Sequence, residues 1–297
     1  MSFSSDTKKE LCKSNPRPCC ALAEMYGVLL YCNTFTNREI KIITESRALA
    51  RRLPRLMKRV FGLAFDAQPS EGEKGKLNFA INSPEKIKKI FAAYGYDSEK
   101  LIAHQVNLSV LEDDCCRVSF IRGAFLTGGS VTDPEKRYHL ELVTDHYNVS
   151  RGTFALLLDM GFTPKDISRN GNYIIYFKQS EAIEDFLTTI GAPVAAMKVM
   201  SAKIEKDIRN SVNRRVNCEA ANVGKTAFAA LDQIRAIEKL ERAGILETLP
   251  EKLKETARLR KENPEVSLSE LAGMLSPPVS KSCLNHRLRK LIKLAEE

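Results

Sequence analysis

A stretch of twelve residues recurs 96 positions further along the chain, and this repeat restricts the fold more than any other feature. Cys19-Cys20-Ala21-Leu22-Ala23-Glu24-Met25-Tyr26-Gly27-Val28-Leu29-Leu30 is matched by Cys115-Cys116-Arg117-Val118-Ser119-Phe120-Ile121-Arg122-Gly123-Ala124-Phe125-Leu126, with 115 − 19 = 96. Both copies open on a cysteine pair, set a glycine seven positions after the second cysteine and continue apolar, as a buried helix does.

The likeness extends downstream. In the first copy 40–44 reads as a strand and 46–61 as an amphipathic helix, with Leu49, Leu53, Leu56, Met57 and Val60 at helical spacing. In the second, 138–144 alternates as a strand and 150–160 reads as a helix closed by Gly161. Polar turns at 71–75 and 169–172 then lead into strands at 76–81 and 173–177. Ser83-Pro84-Glu85 and Ser180-Glu181-Ala182 start a last helix in each copy. Each unit is helix, strands, helix, strands, helix, and pairing the two apolar helices about a pseudo-twofold axis would bring Gly27 and Gly123 into close backbone approach. Two unrelated domains alike by chance are the weaker alternative.

Over residues 18–192 this arrangement resembles the LAGLIDADG homing-endonuclease fold, two αββαββα units paired through their motif helices. Aligned on the glycines, the motifs read Met25-Tyr26-Gly27-Val28-Leu29-Leu30-Tyr31-Cys32-Asn33 and Ile121-Arg122-Gly123-Ala124-Phe125-Leu126-Thr127-Gly128-Gly129. In catalytic members the eighth position is acidic and holds divalent metal beside the scissile phosphates; here it is Cys32 and Gly128. A soft thiol and a glycine do not bind magnesium. Asp133 and Asp145 lie in a loop or at a strand end without a repeat-related acidic partner, so the chain is expected not to be an enzyme.

Cys19, Cys20, Cys115 and Cys116 occupy equivalent points of the paired helices, and tetrahedral zinc would suit four thiols. Neighbouring side chains on a helix diverge by about 100°, however, and structural sites favour CxxC spacing. Small buried hydrophobes are therefore the preferred reading, with no metal and no cofactor assigned. His104, His139 and His146 show no ligand or triad spacing, no phosphate-cradling glycine motif is present, and Gly128-Gly129-Ser130 reads as a turn.

Composition narrows the class. The 297 residues are 43% hydrophobic and 28% charged, with 15 Gly and 12 Pro, which excludes wholesale disorder and collagen-like chains. Forty-six Lys+Arg against 37 Asp+Glu leave +9, which permits a nucleic-acid partner. The opening MSFSSDTKKELCKSNP has no apolar core of a signal peptide, and no window approaches the roughly 18 apolar residues of a membrane span. Eight cysteines without a secretory signal point to reduced thiols, so a cytoplasmic, nucleoid-associated protein with no membrane partner is expected.

From about residue 195 the strand signals stop. The stretch 203–225 is basic, with Lys203, Lys206, Arg209, Arg214, Arg215 and Lys225 interleaved with Asn210, Asn213, Asn217 and Asn222. It reads either as a linker whose Arg214, Arg215 and Lys225 contact phosphates or as an ordinary solvated helix and loop. Helices follow at 227–243 and 250–262. Ser267 with Glu270 makes a capping box for a short helix through Leu275, and Ser276-Pro277-Pro278-Val279 breaks it. Ser280 caps a final helix with Leu284, Leu288, Leu291 and Ile292 facing inward. Short helix, turn and cationic helix make a helix-turn-helix at about 267–295; a basic surface helix capping a bundle is the alternative. The second helix of such a unit enters the major groove, so Lys281, Ser282, Asn285 and His286 are candidates for reading bases and Arg287, Arg289 and Lys290 for phosphates, with Ser280 counted among the DNA-binding residues.

The division implied is an extension at 1–17, repeats at 18–95 and 115–194 joined by a connector at 96–114, a basic linker at 195–226 and a helical domain at 227–297. The fold class is α+β, a pseudo-twofold LAGLIDADG-like repeat followed by an all-α helix-turn-helix domain. Over nearly the whole chain this resembles the WhiA family of bacterial transcription regulators, most specifically at 120–131, 213–222 and 280–291. The resemblance implies a non-catalytic protein that binds double-stranded DNA, works with the transcription machinery, and acts in sporulation, cell division and chromosome segregation. An architectural nucleoid protein with weak sequence preference is the alternative.

Overall fold

The computed structural model describes residues 2–70, 72–73, 75–97 and 104–296 and divides into two units, Met1–Lys206 and Asp207–Glu297. Glu71 and Lys74 of the expected turn and residues 98–103 of the expected connector lie outside the described residues.

The first unit is organised by α2 (Pro18–Leu30) and α5 (Asp114–Gly128), the two repeat helices. Their crossing is reciprocal. A methyl group on Gly27 would lie 2.1 Å from the Phe120 carbonyl oxygen and 2.8 Å from the Ala124 nitrogen. One on Gly123 would lie 2.0 Å from the Glu24 carbonyl oxygen and 3.0 Å from the Val28 nitrogen. Phe120 and Ala124 are the repeat counterparts of Glu24 and Val28, so the contact is the pseudo-twofold axis expressed in atoms.

After α2 come β1 (Thr34–Phe35), β2 (Ile40–Thr44), α3 (Arg47–Phe61), β3 (Leu77–Ile81) and α4 (Pro84–Ala93). After α5 come β4 (Gly129–Val131), β5 (Leu140–Thr144), α6 (Tyr147–Asp159), β6 (Lys165–Arg169), β7 (Asn172–Phe177) and α7 (Ser180–Ile190). Both sheets are antiparallel, ordered β1-β2-β3 and β4-β5-β7-β6. The second repeat is a full αββαββα unit; in the first, the strand corresponding to β6 shrinks to an isolated bridge between Ala67 and Ala80. β6 escapes a sequence reading because all five residues are exposed, leaving no apolar alternation. The turn after it was legible from Asn170-Gly171, both with positive φ, as a two-residue hairpin requires.

Four expected boundaries change. Residues 1–17 are no mere extension: α1 (Phe3–Leu11) buries Leu11, and the Glu10 carboxylate accepts hydrogen bonds from the Val194 and Ala195 backbone nitrogens at 2.8 and 3.1 Å. That is where a carboxylate best complements a helix N-terminus, here of α8 (Pro193–Arg242). The 195–226 linker and the separate helix at 227–243 are replaced by this single 50-residue helix, because nothing between them breaks it. Gly128-Gly129-Ser130 is the end of α5 and the start of β4 rather than a turn, and α6 begins at Tyr147 rather than at 150.

The second unit adds α9 (Glu251–Glu262), α10 (Leu268–Gly273) and α11 (Lys281–Glu296). Its core of Ile237, Leu240, Leu253, Ala257, Leu271, Leu284, Leu288 and Leu291 shares no residue with the first unit's core. Among the described residues, no helix is long and apolar enough to cross a membrane.

Candidate nucleic-acid interface

Two short-range devices set the helix-turn-helix. The Ser267 hydroxyl accepts from the Glu270 backbone nitrogen at 3.4 Å while Glu270 Oε2 accepts from the Ser267 nitrogen at 3.2 Å, so two donors at the start of α10 are satisfied reciprocally. At the start of α11 the Ser280 hydroxyl accepts from the Cys283 nitrogen at 3.2 Å. Ser280 is thus occupied in starting the helix. Between the helices, the Val279 nitrogen donates to the Ala272 carbonyl at 3.1 Å and ties the connection to α10.

α11 buries Leu284, Leu288, Leu291 and Ala295. Ala295 takes the place expected for Ile292, which is half-buried because it lies at the edge of the buried stripe. At about 100° per residue the opposite face is Ser282, His286, Arg289 and Lys290, with Lys293 added one turn further on, and all five are exposed. Lys281 is also exposed; Asn285 and Arg287, on the two flanks, are half-buried. The sequence-derived candidates therefore gather on one helix with five cations: Lys281, Arg287, Arg289, Lys290 and Lys293.

This helix is held from behind. Lys239 on α8 donates its Nζ to the Ala295 carbonyl. Arg260 on α9 is 1% exposed, and its Nε donates to Gln233 Oε1 at 2.9 Å. Its Nη1 donates to the Val266 carbonyl at 2.6 Å, which anchors the segment entering α10. A buried guanidinium is costly unless its donors are satisfied; here these bonds engage Nε and Nη1, and Nη1 also lies 3.4 Å from the Asn263 carbonyl.

Along α8 the remaining candidates divide. Arg214, Arg215 and Lys225 are exposed and form no ion pair among the described residues. Lys203 instead pairs with Glu181, and Lys206 donates to the Pro134 carbonyl at 2.6 Å with its Nζ 4.5 Å from the centre of the Tyr138 ring.

At the two positions that are acidic in catalytic members of the resembled fold, Cys32 and Gly128, neither residue carries a side-chain oxygen. Cys32 is buried after α2, its thiol donates to the Thr34 carbonyl at 3.1 Å, and burial pushes it up to about 12. At Gly128 a methyl would meet the Val143 carbonyl oxygen at 2.5 Å and the Tyr31 ring at 2.6 Å, so no side chain fits. Asp133 accepts from the Glu135 nitrogen at 3.1 Å in a local turn, and Asp145 lies 3.4 Å from His146. His104 stacks on Phe35 and meets the His146 ring edge-on at 5.0 Å; burial first, and the neighbouring His146 second, hold its pKa down.

One feature went unread in the sequence and another was misread. α3 carries arginines at 47, 51, 55 and 59, one per turn, and with Arg52 they line a cavity of about 900 Å³. The spacing of four was the available signal. The second is at the start of the repeat helices: Cys20 and Cys116 are buried as expected, but Cys19 and Cys115 are exposed, which corrects the reading of all four as buried hydrophobes.

Comparison with known proteins finds matches to both parts of the chain. The family model described as the WhiA LAGLIDADG-like domain matches residues 117–209, and that described as the WhiA C-terminal HTH domain matches residues 212–295. A "Probable cell division protein WhiA" of Ruminiclostridium cellulolyticum is 40% identical over 305 residues, covering 100% of this chain and 97% of that protein. One of Staphylococcus haemolyticus, with the same name, is 40% identical over 309 residues, covering 100% and 97%. The crystal structure of full-length DUF199/WhiA from Thermatoga maritima aligns with a TM-score of 0.61 at 28% identity, covering 100% of this chain and 98% of the other.

Proposed function

This chain belongs to the WhiA family, and from that premise we propose that it is a sequence-specific, DNA-binding transcription regulator that acts in cell division. The observation that carries the reading is the exposed face of α11, where Ser282, His286, Arg289, Lys290 and Lys293 line up opposite the buried leucines. A helix presented in this way fits the major groove, with Lys281, Ser282, Asn285 and His286 toward base edges and Arg287, Arg289 and Lys290 toward phosphates. Arg214, Arg215 and Lys225 offer further phosphate contacts from α8, and Ser280 serves as the cap that orients the recognition helix.

The first unit acts without cleaving DNA. A divalent ion between two strands needs hard oxygen ligands, and neither Cys32 nor the crowded Gly128 supplies one. Incubation of supercoiled plasmid with Mg²⁺ should leave it intact; metal-dependent nicking by the pure protein would overturn this point.

Gel shifts on promoter fragments enriched by chromatin immunoprecipitation test the main reading. Lys281→Ala with Arg289→Ala should weaken binding at least about tenfold, and Arg289→Ala alone should lower the salt slope by about one phosphate contact. Unchanged affinity would remove α11 from the interface. Excess random DNA separates a specific regulator from an architectural nucleoid protein, because only a specific complex survives the competition. Arg51→Ala with Arg55→Ala in the same assay reads whether the cationic cavity beside α3 also holds DNA.

A further inference from the structure

We infer that Cys19, Cys20, Cys115 and Cys116 form a tetrathiolate site for one tetrahedral soft divalent cation, Zn²⁺ among the biological ions, joining the starts of the two repeat helices. The four Sγ atoms all lie within 4.8 Å of one another, and those of Cys19 and Cys20 are 3.9 Å apart. A zinc ion with bonds of about 2.3 Å places its sulfurs about 3.8 Å apart, so the cluster already has the dimensions of a coordination sphere around a single ion. An iron–sulfur cube holds its thiolates farther apart, since iron and sulfide stand between them.

The objection from spacing is met by symmetry. Two adjacent cysteines on one helix start diverge too far to close a site alone. The pseudo-twofold axis through Gly27 and Gly123 sets a second diverging pair against the first, and the Cys20 thiol already reaches the Cys115 carbonyl at 3.6 Å across the helix pair.

Exposure favours an ion independently. Four thiolates around Zn²⁺ carry a net −2, which the helix N-termini help to offset and the carboxylates of Glu112, Asp113 and Asp114, next to Cys115 in the chain, oppose. The site lies at the N-termini of α2 and α5, and neither N-cap, Arg17 or Asp113, offers its side chain to the first free N–H groups. Cysteines serving only as apolar filler would all be buried. Here Cys20 and Cys116 are buried while Cys19 and Cys115 face solvent, leaving an open path for the metal. Binding exchanges four S–H protons for one Zn²⁺, with no change of oxidation state. The ion would clamp the two repeats at one end of their helix pair and favour the folded over the unfolded chain.

The test uses the full chain, reduced and purified without a metal-affinity tag. Elemental analysis should find about one zinc per chain, and Cys19→Ser with Cys115→Ser, at two exposed positions, should reduce this at least about tenfold. Cys218→Ser with Cys283→Ser, exposed cysteines of the second unit, should leave it unchanged. A zinc chelator should lower the Tm of the parent protein and leave that of the Cys19, Cys115 variant unmoved. Cobalt titrated into stripped parent protein should give thiolate charge-transfer and tetrahedral ligand-field bands that saturate at one equivalent, a readout that does not depend on the variant folding. A reduced parent protein that holds neither zinc nor cobalt, or protein isolated without reductant that carries disulfides among these four cysteines, would overturn the assignment.

Discussion

A methyl group at position 27 has nowhere to go, because what it meets is the Phe120 carbonyl and the Ala124 nitrogen of the opposite helix, and backbone cannot step aside as a side-chain tip can. Gly27→Ala should therefore cost at least about 2 kcal/mol in denaturant melts. Gly224→Ala is the contrasting case. That glycine lies within α8 with nothing inside 4 Å of a methyl, so the substitution should stabilise by about 0.5–1 kcal/mol through helix propensity alone. Equal effects at both sites would refute the close-approach argument. Gly27 and Gly123 were legible in the sequence because the repeat marks them. Glu24 was not: it is fully buried, with Arg52 donating Nε and Nη2 to its two oxygens at 2.6 and 2.9 Å and Arg122 Nη1 at 3.7 Å, and those partners come from α3 and α5. No local pattern announces an ion cluster assembled from three separate helices.

At the scale of elements, the strongest local signals located the helix-turn-helix. A capping box, a proline break and leucines at helical spacing are short-range features, and α10 and α11 form close to where they point. Removing one device measures its share: Ser267→Ala should cost about 1 kcal/mol of stability, since the hydroxyl's bonds to the Glu270 nitrogen and carboxylate are lost while the backbone nitrogen of position 267 keeps its bond to Glu270 Oε2. A thermal melt indistinguishable from that of the parent would show that packing of Leu271 and Ala272 alone holds α10. Other elements were harder to read. β6 has no buried face to create alternation, and β1 is two residues long. The continuity of α8 was hidden because the polar, asparagine-rich segment at 207–222, exposed throughout, looks like a linker although it contains no proline or glycine to interrupt a helix.

At the scale of the molecule, two hydrophobic cores share no side chain, so damage to one should not propagate energetically to the other. Arg260→Ala strips the donors from Gln233 Oε1 and the Val266 carbonyl and should destabilise the second unit by on the order of 3 kcal/mol. Combined with Gly27→Ala, the losses read unit by unit by hydrogen exchange should add within about 0.5 kcal/mol. A large coupling term would contradict two separate cores. The sequence by itself determined the repeat, the fold class, the cysteine and the glycine at the eighth motif positions and the place of the cationic helix α11, because each of these resides in residue identity or short-range periodicity. Only the tertiary structure decided that α1 belongs to the first unit, that the arginines of α3 line a cavity, and that four cysteines 96 positions apart in pairs meet within 4.8 Å. Those properties depend on distances between segments remote along the chain, which are set by the crossing of α2 over α5 and by nothing in either segment alone.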